Sequence, residues 1–387
     1  MRPRTGRTPA VCLLLWACAG WGQSPPPGEA PAAQHVARAE ELANKGDLEA
    51  AARELQQAIE LDPKSPTTHV ALGEVLQAQG KAEESVREYR EAIQIQPKLA
   101  EAHNQLGNAL AGMGDLDAAI VEYREAVRLS PDSYEVHSNL GDALSEKGDL
   151  DGAIAELRAA IRLKPDQADL HDNLGSLLQD RAETDGAIAE YRRSIELNPN
   201  VAAAHNNLGS ALQDKGDIDG AVREYREAVR LSPDSAESHS NLCLALKAKG
   251  DWAGALPECR EAVRLEPGEP ELHINVGTLL KHAGDLNGAI AEYREALRLQ
   301  PDSFVTRTDL CEALGLKGDL DAALKECHEA LQLKPNFAPA HDTLGDVLLK
   351  KGDQAAALKE YQEAQRLSPR NHAYKAKTEK LTQELAK

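Results

Sequence analysis

Aromatic side chains are nearly missing from this chain of 387 residues: three tryptophans, eight tyrosines and two phenylalanines make up 3% of it. That scarcity removes the stacking platforms that would hold bases or sugars. Basic charge is short as well, with 44 Lys and Arg against 63 Asp and Glu, a formal net charge of -19. So acidic a surface repels phosphate backbones, and nucleic acid is not an expected partner. The sequence holds no HExxH zinc motif, no GxSxG nucleophile elbow and no GxxxxGK phosphate loop. No catalytic role and no cofactor or metal are therefore expected. Beyond one short stretch near the N-terminus no run is apolar enough to span a membrane. A single globular core is hard to maintain at this length, so the chain must gain its burial another way.

What is present is repetition. Ten prolines, Pro63, Pro97, Pro131, Pro165, Pro199, Pro233, Pro267, Pro301, Pro335 and Pro369, stand 34 residues apart. One unit is thus written ten times from Ala32 to Asn371, with its proline at position 32 of the unit. The sixth copy, Ala202 to Ser235, reads AAAHNNLGSALQDKGDIDGAVREYREAVRLSPDS. This period fits one helix-turn-helix that cannot bury its apolar face alone and must stack on its neighbours. Glycine at position 15 suits a left-handed residue ending the first helix, and the acid that follows, with Asp219 two places on, is expected to cap the second. The second acid, Asp219, is the one expected at the helix start. The proline stops the second helix because it lacks an N–H and restricts the residue before it. The fifth unit has Ala182 in place of the glycine, so its turn should be strained or differently shaped. Pro257 falls near the edge of the first turn of its helix, where it is tolerated or bends the array slightly.

Position 7 is leucine or valine in nine units, position 8 glycine in seven, positions 20 and 27 alanine in nine each, and position 24 is most often tyrosine. Small residues let the two helices approach closely and the tyrosine fills the space beside them. These residues resemble the tetratricopeptide repeat (TPR) over about nine tenths of the chain. The HNNLG variant is most similar to the superhelical repeats that precede the catalytic region of O-linked N-acetylglucosamine transferases. The resemblance implies an all-α, right-handed superhelical solenoid of ten repeats, residues 32–371, with residues 372–387 as a C-terminal capping helix carrying Tyr374, Leu381 and Leu385 at helical spacing.

At the N-terminus, Arg2, Arg4 and Arg7 precede the apolar run Ala10 to Ala19, followed by small residues, which reads as an export signal over residues 1–22. A secreted or periplasmic protein is expected. The competing reading has Cys18 of Leu15-Trp16-Ala17-Cys18 lipidated, anchoring the chain at the envelope. Residues 23–31 form a stiff, proline-rich spacer.

Four cysteines lie outside the signal, as Cys243 with Cys259 and Cys311 with Cys327, each pair at positions 8 and 24 of one unit. A hairpin turning near position 16 brings those positions level, and the usual glycine and tyrosine are replaced together. In an oxidising compartment this implies two disulfides; buried free thiols are the alternative. Histidine fills position 4 of nine units, His35, His69, His103, His137, His171, His205, His239, His273 and His341. Successive copies are a helix diameter or more apart, so packing between helices, with one nitrogen bonded locally, is expected rather than a metal row.

In a TPR array the first helices line the concave groove, and positions 2, 5, 6, 9, 12 and 13 are largely polar here. Asparagine holds position 6 in five successive units, Asn139, Asn173, Asn207, Asn241 and Asn275. Amides both donate and accept, so such a row can grip an extended peptide backbone without reading much sequence, as the similar transferase repeats do. The alternative is that asparagine solubilises the helix or bonds to the next unit. Glu101, Glu135, Asp142, Glu146, Asp169, Asp172, Asp180, Asp214 and Glu237 surround the row, whereas Lys247, Lys281, His282 and Lys350 lie toward the C-terminal end. A neutral or basic protein or peptide ligand is expected in the first half, with acid tolerated in the second. The expected role is an exported, non-enzymatic adaptor. Two others stay open: a scaffold assembling envelope proteins through its convex face or ends, and a substrate-recognition partner of a separate glycosyltransferase.

Overall fold

The computed structural model describes residues 31–386, so the export segment 1–22, Cys18 and all of the 23–31 spacer except Pro31 lie outside the described residues. Among those described, 21 helices follow one another, from α1 (Pro31–Asn44) to α21 (His372–Leu385), with no strand. They form two compact units that divide after Leu197. The first holds five helical hairpins; the second holds five more and then α21.

The sixth repeat shows why each hairpin forms. Its first helix, α11 (Ala202–Lys215), ends at Gly216, whose φ of 88 lies in the left-handed region that an L side chain avoids. That residue turns the chain so that Asp217 takes the cap of α12 (Ile218–Leu231) and accepts from the Gly220 N–H at 2.9 Å. The cap is therefore the first acid, not the expected Asp219. A single left-handed residue leaves room for only one non-helical residue before α12, so Asp219 is already helical and pairs with Lys249 of the next repeat at 2.7 Å. At the far end Ser232, before Pro233, adopts φ -135 and ψ 79, outside the helical region, as a residue before proline must. The fifth repeat makes the same turn with alanine. Ala182 sits at φ 60, and the hydrogen bonds flanking it match those around Gly216. The turn keeps its shape and alanine carries the strain.

Close approach of the two helices depends on glycine facing tyrosine. A Cβ on Gly209 would stand 2.7 Å from the Tyr225 ring. In the fourth repeat, where Leu157 replaces the tyrosine, the same atom on Gly141 would meet nothing nearer than 3.3 Å. Ala221 and Ala228, on the facing side of α12, are wholly buried. Pro257 lies inside α14 (Trp252–Leu265), past its first turn rather than at its edge. Ala253, whose carbonyl loses its helical donor, is exposed, so water can satisfy it.

The outermost helices differ from the inner ones where a further repeat would stack. Ala204, Leu208 and Ala211 of the sixth repeat are buried, whereas the matching Gln34, Arg38 and Glu41 of α1 are exposed and polar. In α21 the side that in other repeats meets a second helix carries Lys375, Glu379 and Thr382, all exposed. The opposite side buries Thr378 and Leu381, the latter against Ala357 and Tyr361 of α20 (Gln354–Leu367). Leu385, expected to join that stripe, is 45% exposed, because it lies in the last turn of α21.

Candidate functional site

Each hairpin is clasped by histidine. Nδ1 of His205 lies 2.8 Å from Glu224 Oε2 on the second helix, and Nε2 lies 3.2 Å from the carbonyl of Pro199. The same Nδ1 contact recurs for His35, His69, His103, His137, His171, His239, His273 and His341 at 2.6 to 2.7 Å. Eight of these rings also reach the preceding proline carbonyl, as His205 does. The histidines thus pack between helices with one nitrogen bonded locally and the other across the hairpin. In the ninth repeat Arg307 takes the place and bridges Glu326 and Glu329. The glutamate was not anticipated, although position 23 is glutamate in all ten units. Two invariant positions 19 residues apart were the available signal.

With the first helices fixed in this way, one face of each is left for other contacts. Asn139 and Asn173 in the first unit, and Asn207, Asn241 and Asn275 in the second, are all half-buried on that face. The row is partly engaged between neighbouring repeats. Asn139 Nδ2 donates to Asn104 Oδ1 at 3.0 Å, and Asn275 Oδ1 accepts from Lys247 Nζ at 3.4 Å. An amide offers two donors and two acceptor sites, so one such bond leaves most of its capacity. Asn173 and Asn207 also have interacting neighbours.

These bonds belong to a wider pattern. Helix α5 (Ala100–Gly112) is tied to α3 (Pro66–Ala78) by Gln105 Nε2 donating to Glu74 Oε1 at 2.5 Å. In the second unit Asn206 Nδ2 donates to Ser238 Oγ at 2.7 Å, joining α11 to α13 (Ala236–Lys249). Helix α15 (Pro270–His282) sends Lys281 to Glu312 of α17 (Phe304–Lys317) at 2.6 Å. Helix α19 (Ala338–Lys351) sends Lys350 to the Gly315 carbonyl at 3.0 Å. Lys377 of α21 reaches Asp342 at 2.9 Å and Asp346 at 2.7 Å. The face is therefore cross-linked from one first helix to the next.

Charge divides along it as the sequence indicated, with one difference. In the first unit Glu74 has burial pushing its carboxyl up to about 7, against the lowering effect of the Gln105 bond and helped by the nearby Glu101 charge. Burial, with the charges of Glu74 and Glu101, also raises the Tyr89 phenol. In the second unit the expected cations are occupied by the chain itself: Lys247, Lys281 and Lys350 in the bonds above, and His282 stacked on Trp252 with ring centroids 3.9 Å apart. Burial raises Asp309 and Asp342, although Lys281 and Lys377 pull the other way.

The cysteines come together in the pairs expected. The Cα atoms of Cys243 and Cys259 are 5.4 Å apart and those of Cys311 and Cys327 are 5.5 Å apart, with the sulfurs at bonding distance. All four are buried, in the space that glycine and tyrosine fill elsewhere. His328 points away, exposed, with Nδ1 at 2.6 Å from the Leu324 carbonyl.

Residues 104–168, 241–304 and 312–372 match the tetratricopeptide-repeat family, and residues 39–80, 77–114, 180–216 and 211–250 match its TPR-repeat form. These stretches together cover well over half of the sequence. No curated protein matches the chain. Among solved structures it is similar to MamA, at 27% identity and a TM-score of 0.41 over 43% of this chain and 97% of that one. It is similar also to YrrB, described as a TPR protein with an unusual peptide-binding site, at 20% identity and a TM-score of 0.44 over 51% and 97%. The Cut9–Hcn1 hetero-tetramer of the APC/C is similar at 15% identity and a TM-score of 0.49 over 90% of each chain.

Proposed function

The chain belongs to the tetratricopeptide-repeat family, and from that premise we propose that it is a non-catalytic adaptor that holds extended peptide or protein segments along the first-helix face of its repeats. The observation that carries this reading is the row of five half-buried asparagines, Asn139, Asn173, Asn207, Asn241 and Asn275, on a face already made rigid by cross-helix bonds. Prepositioned amides bond to a peptide backbone without first being ordered, which lowers the entropic cost of binding. The acids of the first unit favour a neutral or basic segment there.

The polar outer faces of α1 and α21 favour this reading over end-to-end assembly, since neither offers apolar surface for stacking. We further propose that the protein is exported to an oxidising compartment, secreted or periplasmic, with both cysteine pairs oxidised; Cys18 lipidation would hold the same protein at the envelope. A crosslinking pull-down from envelope extract tests the binding role. Asn173→Ala with Asn207→Ala and Asn241→Ala is expected to lose a partner that the wild-type protein captures. Equal capture by both, with both folded, would sink the groove reading and move function to the convex face.

A further inference from the structure

The ninth repeat departs from its siblings at more positions than any other, and the departures gather on the ligand-facing side. Position 2 is Val305 and position 13 is Leu316; no other repeat has a branched aliphatic residue at either. They lie eleven residues apart on α17, three turns on one face, and are 45% and 50% exposed. Position 12 is Gly315 here, and in the tenth repeat it is Leu349, 37% exposed. Gly315 lets α19 come close: a Cβ there would stand 2.9 Å from Val347. Lys350 crosses the same point to the Gly315 carbonyl at 3.0 Å. Leu316 adjoins Gly315 and Leu349 adjoins Lys350, so the two leucines flank the closest approach of α17 and α19. Both phenylalanines of the chain, Phe304 and Phe337, pack edge to face at the N-terminal ends of these helices with centroids 4.9 Å apart.

Charge here is balanced within the protein. Lys281 serves Asp309 and Glu312 at 3.8 and 2.6 Å, and Lys377 serves Asp342 and Asp346 at 2.9 and 2.7 Å. An incoming charged side chain would lose hydration and find each of these carboxylates already answered. An aliphatic side chain loses nothing comparable and gains by covering Val305, Leu316 and Leu349.

We propose that Val305, Leu316 and Leu349 form an anchoring subsite for an uncharged aliphatic side chain of the bound segment, the one part of the ligand that this chain reads by side-chain type. This rests on the reading of the first-helix face as a peptide site, and adds where selectivity lies.

The test uses the full chain and three labelled Gly-Ser peptides carrying at their centre two leucines, two lysines or two glutamates, followed by fluorescence anisotropy. The leucine peptide is expected to bind about tenfold more tightly than the other two, the worth of burying one such side chain. Leu316→Gln with Leu349→Gln removes that advantage, while Leu316→Met with Leu349→Met keeps it. Thermal melting checks that both variants are folded. Equal binding of all three peptides, lost on replacing Asn173, Asn207 and Asn241, would overturn the anchor and leave the peptide site standing. Failure of any peptide to bind would count against both. A wild-type dimer that Leu316→Gln with Leu349→Gln converts to monomer in sedimentation would make the patch a contact between copies and also overturn the proposal.

Discussion

Nδ1 of His205 and Oε2 of Glu224 are 2.8 Å apart across a helical hairpin, and the pair recurs in nine of the ten repeats. The imidazole is nearly buried and bonded at both nitrogens, so it locks the tilt of the first helix against the second and against the turn before it.

His205→Ala should therefore lower stability by about 1–3 kcal/mol, the cost of leaving a half-buried carboxylate and a carbonyl without a partner. Glu224→Gln should cost less, because an amide still offers an oxygen to the ring. The check is a double-mutant cycle by urea denaturation. Additive effects of His205→Ala and Glu224→Ala would show that the two do not act as a pair.

Glu74 makes the first unit sensitive to pH. Burial raises its carboxyl from an ordinary 4.5 to about 7. A carboxyl whose value is raised on folding contributes stability that is full below 4.5 and lost as the pH climbs through about 7. Glu74→Gln keeps a neutral side chain and an oxygen for Gln105 at every pH. The variant should match the wild type at acid pH and exceed it by roughly 1–3 kcal/mol on the alkaline side. Melting curves of both proteins across this range decide it; a difference that does not change with pH would refute the assignment.

Oxidation of Cys243 with Cys259 and of Cys311 with Cys327 should leave all four unmodified when the denatured protein is alkylated without reductant and mapped by mass spectrometry. Each bond closes a loop worth roughly 3 kcal/mol on the chain-entropy model. Dithiothreitol should accordingly lower the urea midpoint of the wild type and leave a variant lacking all four cysteines unchanged. Alkylation of the four without reductant would identify them as thiols.

Much of the fold is legible in single residues. Gly216 ends a helix because only glycine takes its φ without strain, and Pro233 ends the next because the residue before it cannot stay helical. The pairing of positions 8 and 24 is legible too, since glycine with tyrosine, glycine with leucine, and cysteine with cysteine are alternative fillings of one space. The candidate site is less so. The asparagine row is visible as a periodicity, but whether Asn139 faces a ligand or Asn104 depends on how far one first helix is displaced along the next.

The sequence by itself therefore determined the ten hairpins and their boundaries, because caps, glycine turns and proline stops act through bonds within a few residues of one another. It was also enough to place the histidines in packing rather than in a metal row. Only the tertiary structure decided which groups meet: His205 with Glu224, Gln105 with Glu74, Lys281 with Glu312, Lys377 with Asp346. Those meetings depend on the offset and rotation of stacked helices, set by the close contact of small residues over the whole interface, and no local pattern encodes a distance between two helices. The charged groups of the second unit show the consequence. Lysines that look available in the sequence are spent on neighbouring repeats once the helices are stacked, and the surface left for a partner there is aliphatic.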